Sequence, residues 1–182
     1  MAEFWDIYDK NKNVTGKFAE RGVYEFKDGE YHLVVVALII NSKKEILITK
    51  RSEMKKAEPL KWELTGGGAQ AGESSLQGIL RETSEEIGMN FIPQDAILLK
   101  EVRKDGKDAS FKDLWLFKKD TPIEDIKFED GEVSDAKWVT IEQFLQMKEN
   151  KEMISTIDFG MEEYKLALEK MKNKKSIDKI IE

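Results

Sequence analysis

The sequence predicts an α+β or α/β fold in which a mixed β-sheet is sandwiched between helices. Three observations predict it. Leu33 to Ile40 reads LVVVALII, with the length and β-branched content of a buried strand. Shorter strand-like segments, bounded by turn residues, lie on both sides of it. Three segments, Glu73–Ile87, Ile141–Lys148 and Met161–Asn173, repeat apolar residues at helical spacing.

In chain order, residues 1–30 read as an N-terminal extension with hairpin character, and Val23 to Phe26 as its short strand. Residues 27–30 (KDGE) form a turn into Tyr31–Ile40. A second turn, Asn41 to Lys44, leads to a strand over Glu45–Lys50, and Lys61–Leu64 is a short strand before a glycine cluster. Ile97–Arg103 and Phe111–Phe117 read as paired strands across the turn of residues 104–107, and Asp135–Val139 as a further strand. Residues 31–150 form the core of the fold. Residues 151–182 add a C-terminal helix, with Tyr164, Leu168 and Met171 on one stripe.

Composition limits the chemistry. The 182 residues contain no Cys, so disulfides, thiolate metal sites and cysteine nucleophiles are excluded. The one His, His32, rules out a multi-histidine metal site and reads as a half-buried structural residue. Metal chemistry must rest on carboxylates, which suit Mg²⁺, Mn²⁺ or Ca²⁺. Asp plus Glu total 36 against 30 Lys plus Arg, a net charge of -6, which argues against a nucleic-acid polymer as partner. Met1 to Lys10 lacks the basic start and apolar run of a signal peptide, and eight apolar residues are too few to span a bilayer. The expectation is a cytoplasmic protein with no membrane partner.

Chemistry concentrates in residues 65–89. Thr65 to Gly72 reads TGGGAQAG, a segment that lets backbone groups approach a ligand closely, or a flexible turn. The relaxed dinucleotide pattern at Gly66, Gly68 and Ala71 is set aside, because no acidic residue closes a second strand about 20 residues on. In the helix that follows, Leu76, Ile79, Leu80, Thr83 and Ile87 share an arc of roughly 100°. Glu82, Glu85 and Glu86 share the adjacent arc, with Glu86 at its apolar border. Their repulsion, about 0.2–0.5 kcal/mol per exposed pair, is removed by a bound divalent cation. Charge runs are commonly solvated surface, and on the carboxylates alone that reading stays open.

The segment Gly67-x5-Glu73-x7-Arg81-Glu82-Thr83-x-Glu85-Glu86-x-Gly88-Met89 resembles the Nudix box, G-x5-E-x7-R-E-U-x-E-E-x-G-U with U apolar. All seven fixed letters stand at their spacing over 23 positions, and Thr83 is the one soft departure. Within the box Arg81 is i−4 to Glu85 and within reach of Glu73, a supporting pair for the carboxylates, and Gly88 fits a left-handed helix stop. The resemblance implies a Nudix fold and Mg²⁺- or Mn²⁺-dependent hydrolysis of a diphosphate linkage in a small nucleoside-diphosphate-type substrate. It implies a metal site of Glu82, Glu85 and Glu86 with a glycine-loop carbonyl, Gly66. Arg81 belongs to the same machinery, with Glu82 or Glu132, on a later turn, as general base. Arg51 reads as a phosphate clamp or a surface residue, and Trp62 as a stacking platform or, more commonly for a Trp, core packing; Gly67 and Gly68 as close-approach backbone complete the candidate substrate contacts.

A wider likeness runs over roughly residues 4–145, carried by Trp5-Asp6-x-Tyr8-Asp9, Tyr31 to Val35, Ile46 to Ser52, Trp62 and Val133 to Val139. In it the chain is similar to a subgroup like type I isopentenyl-diphosphate isomerase. That enzyme needs a cysteine after the Trp-x-x-Thr stretch and several histidines. Here Gly66 follows Trp62-Glu63-Leu64-Thr65, and only His32 matches. Hydrolysis is the expectation, with an isomerase-like enzyme and a non-catalytic diphosphate sensor as alternatives. Trp115 and Trp138 read as core. Homodimers are common among such proteins, and the N-terminal hairpin or C-terminal helix offers a face for one.

Overall fold

The structure, a computed structural model, describes residues 2–106, 109–128 and 131–181, with side chains described as far as residue 173. Two strands, β1 (Phe4–Tyr8) and β2 (Val14–Glu20), form an antiparallel hairpin. The main sheet contains β3 (His32–Ile40), β4 (Ile46–Arg51), β5 (Trp62–Glu63), β6 (Gly66–Gly68), β7 (Ile97–Lys104), β8 (Ser110–Lys118) and β9 (Val133–Val139). Its central pair, β3 and β8, is parallel, and the other pairings are antiparallel. The helices are α1 (Ser75–Ile87), α2 (Ile141–Glu149) and α3 (Met161–Ile181).

Side-chain alternation along β3 divides the core. Leu33, Val35, Ala37 and Ile39 pack with Ile79 and Ile87 of α1, together with Phe111 and Phe117. Leu38 and Ile40 face the other way, toward Phe144 of α2 and Tyr164 and Ala167 of α3. The sheet is therefore covered on both faces by helices, as its mixed apolar pattern requires. Leu168 and Met171 share the α3 stripe with Tyr164 and lie half-buried against this second core.

β3 and β4 meet only at Ile40 and Ile46 and then diverge. β6 takes the vacated edge of β3, with Val34, Val35 and Val36 opposite Gly68, Gly67 and Gly66. On the other lip, β5 and β9 pair with β4. This gap between the two halves of the sheet positions the candidate site.

Two expectations change. Val23–Phe26 is not a strand. Its aromatics serve packing instead of pairing: Phe26 lies against Trp5 and His32, and the Tyr24 hydroxyl donates to Glu30 at 2.8 Å. The hairpin of the N-terminal region is formed by β1 and β2. The glycine cluster is a strand, not a flexible turn, because three residues without side chains can lie flat against β3.

Each glycine of β6 admits a close neighbour. A Cβ on Gly66 would stand 2.2 Å from the Val35 carbonyl oxygen; on Gly67, 2.5 Å from the Glu82 carboxylate; on Gly68, 2.5 Å from the Trp5 indole nitrogen. The Gly66 clash is with backbone and has no side chain to yield. Gly66→Ala is therefore expected to cost about 3 kcal/mol or more, a fall in Tm of roughly 6–12 °C by thermal unfolding. A cysteine at that position of this chain would meet the same clash.

The hairpin packs on this region. The Trp5 ring stacks on His32 at 4.7 Å, Tyr8 and Tyr31 exchange backbone hydrogen bonds of 2.8 and 3.0 Å, and Lys12 bonds Asp113 at 2.6 Å. Asp6, buried, accepts the Gly72 N–H at 2.7 Å. His32 is half-buried, with Nδ1 3.2 Å from the Ala109 carbonyl. Trp115 and Trp138 are half-buried at the edge of the core, and their indole N–H groups donate to Ser75 Oγ and the Thr121 carbonyl at 2.9 and 3.0 Å. Among the described residues, no helix is long and apolar enough to cross a membrane.

Candidate active site

Local sequence fixes α1 at both ends. The Ser74 hydroxyl accepts the Gln77 N–H at 3.3 Å while the Gln77 side chain accepts the Ser74 N–H at 2.9 Å, a reciprocal cap. Gly88, at φ 66°, ends the helix in the left-handed region. The face so fixed buries Ile79, Thr83 and Ile87, and with them Glu82 and Glu86, whereas Glu85 stays exposed.

Arg81 organises the carboxylates. Its Nε donates to Glu73 Oε1 at 2.8 Å, and Nη2 donates to Glu73 Oε2 and the Gly68 carbonyl, both at 3.0 Å. Nη1 donates to Glu82 Oε1 and Glu85 Oε2, both at 2.9 Å. Five N–H groups thus meet five acceptors, the full capacity of a guanidinium. Burial alone would lower the Arg81 pKa, but these carboxylates outweigh it and raise it. Burial raises the Glu82 pKa, opposed by Arg81.

Glu86 is the most strongly perturbed acid of the helix. Burial, reinforced by the negative charges of Glu82 and Glu63, pushes its pKa up to about 8; Lys55 and the Gly66 N–H, 3.2 Å from Oε2, oppose this. Glu63, on β5, is also buried, and its pKa is raised by that burial against the pull of Arg51. In an antiparallel ladder one residue's N–H and C=O point to the same side. Because the Gly66 N–H is directed at Glu86, its carbonyl faces that side too.

Buried carboxylates and a backbone carbonyl form an all-oxygen donor set that fits Mg²⁺ or Mn²⁺, and the mutual repulsion at Glu86 is what a cation would relieve. Among the described residues, no three such side chains already converge on one point. Glu82 and Glu85 are turned onto Arg81, so their free oxygens, not those bonded to it, are the ones available.

The arrangement has the parts of the box in the order the motif predicts. The Nudix domain profile matches residues 30–158. The chain belongs to the Nudix family. An uncharacterised Nudix hydrolase of Listeria monocytogenes is 35% identical over 156 residues, which cover 84% of this chain and 88% of that relative. A crystal structure from Deinococcus radiodurans has TM-score 0.69 at 22% identity, covering 81% of this chain and 90% of that one. The Nudix domain of Shewanella oneidensis NrtR, solved with ADP-ribose, has TM-score 0.55 at 20% identity, with the same coverage of both chains. The chain is a Nudix hydrolase with the mixed sheet between helices that this family shares.

Within this Nudix fold, the other candidate residues sit differently from one another. Arg51 donates through Nη1 to both oxygens of Glu63 at 3.0 and 2.9 Å, and through Nε and Nη2 to the Ala57 carbonyl. Its guanidinium is held by Glu63 in the lining of a cavity. Trp62 points to the opposite face of β5, where Lys137 Nζ lies 4.1 Å from its ring, and it is not part of the cavity wall. Gly66 lines that cavity; Gly67 and Gly68 instead face Glu82 and Trp5, and the Gly68 carbonyl is taken by Arg81. Glu132 is ion-paired with Lys55, a side chain largely buried in the loop after β4. The turn is tied to that loop: Ser52 Oγ donates to the Gly131 carbonyl at 2.6 Å. Glu129 and Asp130, preceding it, lie outside the described residues.

Two residues near Glu86 escape sequence reading. Lys55 and Glu63 belong to no box. Their one signal is Glu63 itself, a charge at an inward position between Trp62 and Leu64.

Proposed function

We propose that this Nudix hydrolase cleaves the P–O–P linkage of a small diphosphate-containing substrate of nucleoside-diphosphate type, with Mg²⁺ or Mn²⁺ as cofactor. The observation that supports this reading best is the saturated Arg81, which holds Glu73, Glu82 and Glu85 beside the buried Glu86. A solvated acidic surface would not need that arrangement. The metal would be held by Glu82, Glu85, Glu86 and the Gly66 carbonyl.

When bound, it would neutralise the diphosphate and lower the pKa of the attacking water. Arg81 and Glu73 set the carboxylate rotamers and are positioning residues. Glu132, or Glu82, takes the proton of the attacking water. Lys55, paired with Glu132, keeps that carboxylate over the site and supplies positive charge toward the phosphates.

The test is hydrolysis of nucleotide sugars, ADP-ribose, dinucleoside polyphosphates and simple diphosphate esters with Mg²⁺, Mn²⁺ or EDTA, read as release of the monophosphate products. Release is expected only with metal. Glu85→Gln, at an exposed position, is expected to reduce it 10–100-fold with Tm unchanged within about 2 °C. Full turnover by Glu85→Gln would overturn the metal assignment.

A further inference from the structure

Residues 69–73 join β6 to α1, and each of their backbone N–H groups has a partner. Ala69 donates to the Leu33 carbonyl at 2.9 Å, Gln70 to Glu73 Oε2 at 2.8 Å, and Glu73 to the Gln70 carbonyl at 3.0 Å. The other two donors reach out of the matched domain to β1. Ala71 donates to the Phe4 carbonyl at 2.8 Å, and Gly72 to Asp6 Oδ2 at 2.7 Å.

These two bonds differ in kind. The Phe4 bond runs from backbone to backbone and does not depend on the side chain of residue 4. The Asp6 bond depends on a buried carboxyl group, and a buried polar group needs such a partner. Gly72 itself is exposed, at φ 84°, and a Cβ there would meet nothing within 4 Å. Packing therefore does not hold this turn, and its place is set by hydrogen bonds. The remaining contacts of the hairpin lie elsewhere: Tyr8 pairs with Tyr31, and Lys12 with Asp113 on β8.

Glu73 follows Gly72 directly. Its two oxygens take Arg81 Nε and Nη2, so it grips one edge of the guanidinium. Nη1, at the other end, holds Glu82 and Glu85. A guanidinium is planar and rigid, so a displacement of the gripped edge swings the far end with it. A shift of the turn at Gly72 is thereby carried to two carboxylates of the box.

We infer that Asp6 is a positioning residue for the metal site. Its hydrogen bond to the Gly72 N–H sets Glu73, and through it Arg81, in the orientation that presents Glu82 and Glu85 to a cation. The inference rests on the metal-dependent hydrolysis proposed above and extends its machinery to a residue outside the matched domain. Because Asp6 acts through Glu73 and Arg81, its loss raises the apparent KM for the metal more than it lowers kcat.

The test measures Mn²⁺ binding to the substrate-free full chain by calorimetry, with amide hydrogen exchange at Gly72. Asp6→Ala is expected to weaken Mn²⁺ binding by about tenfold and to speed exchange at Gly72 by about tenfold or more. Asp6→Ser, whose hydroxyl stops one bond short of Gly72, is expected to behave alike and serves should Asp6→Ala not fold. Asp6→Asn, whose amide oxygen can accept the same N–H, is expected to bind Mn²⁺ within about threefold of wild type. Thr15→Val removes a different bond of the hairpin, Thr15 Oγ1 to the Ile7 carbonyl, and is expected to leave Mn²⁺ affinity unchanged.

Wild-type affinity in folded Asp6→Ala or Asp6→Ser would overturn the positioning role and leave the metal site standing. So would an equal loss in Thr15→Val, which would assign the effect to the hairpin as a whole. Asp6→Asn as weak as Asp6→Ala would show that the hydrogen bond is not what acts, and would overturn the role too. A wild type that binds no Mn²⁺ would overturn the metal site and, with it, this role.

Discussion

Glu86→Gln is expected to abolish metal-dependent phosphate release and, at the same time, to make the metal-free protein more stable at pH 8. In the folded chain burial and the charges of Glu82 and Glu63 push the Glu86 pKa up to about 8, against ~4.3 in the unfolded chain. The folded state therefore keeps a proton that the unfolded state has released. Stability falls as pH rises from about 4.3 and continues to fall until about pH 8. The separation, at 1.36 kcal/mol per pH unit, sets a ceiling of about 5 kcal/mol, and relaxation of the neighbouring charges brings it to a few kcal/mol.

Gln carries no such penalty. In EDTA, Glu86→Gln is expected to raise Tm by about 5 °C or more at pH 8 and to leave it nearly unchanged at pH 4, where Glu86 is protonated in both states. With Mg²⁺ the wild type is expected to gain Tm and the variant not to, while turnover falls at least ~100-fold. Equal destabilisation by Glu86→Gln at both pH values would contradict this account.

Arg81→Lys is expected to be severe although it keeps the charge. Lysine offers three donors where five acceptors wait, and it has no planar fork. At least two of the Glu73, Glu82, Glu85 and Gly68 acceptors lose their partner, in a site where Arg81 and Glu82 are largely buried. The expected cost is about 2–3 kcal/mol, a fall in Tm of roughly 5–10 °C, and a 10–100-fold loss of apparent Mg²⁺ affinity in titrations of phosphate release. A variant that loses stability but binds Mg²⁺ as tightly as the wild type would show that Arg81 holds the fold and not the carboxylates.

The helix of this site was legible because its signals are local. Apolar spacing, the Ser74–Gln77 cap and Gly88 all act within four residues, and the geometry of Glu82, Glu85 and Glu86 follows from them. The Nudix match and the sheet between helices agree with that reading. The strand β6 was not legible, because a period of two needs side chains to display it, and Gly66, Gly67 and Gly68 have none. Glu63 and Lys55 were not legible for a different reason. They reach Glu86 through the pairing of β5 with β4 and through a loop tied to Gly131, relations between distant segments that no single stretch encodes. Val23–Phe26 misled because aromatic residues mark packing as readily as pairing. Arg51 reads as a phosphate ligand from its place at a strand end, but Glu63, invisible from there, holds it.

The match to the family begins at residue 30, yet the motif it defines is braced by residues before that boundary. Trp5 fills the space that Gly68 leaves open, and Asp6 holds the amide of Gly72 at the entrance to α1. The matched unit and the mechanical unit of this chain therefore have different edges. The rigidity of the box therefore depends on a hairpin that lies outside the matched domain.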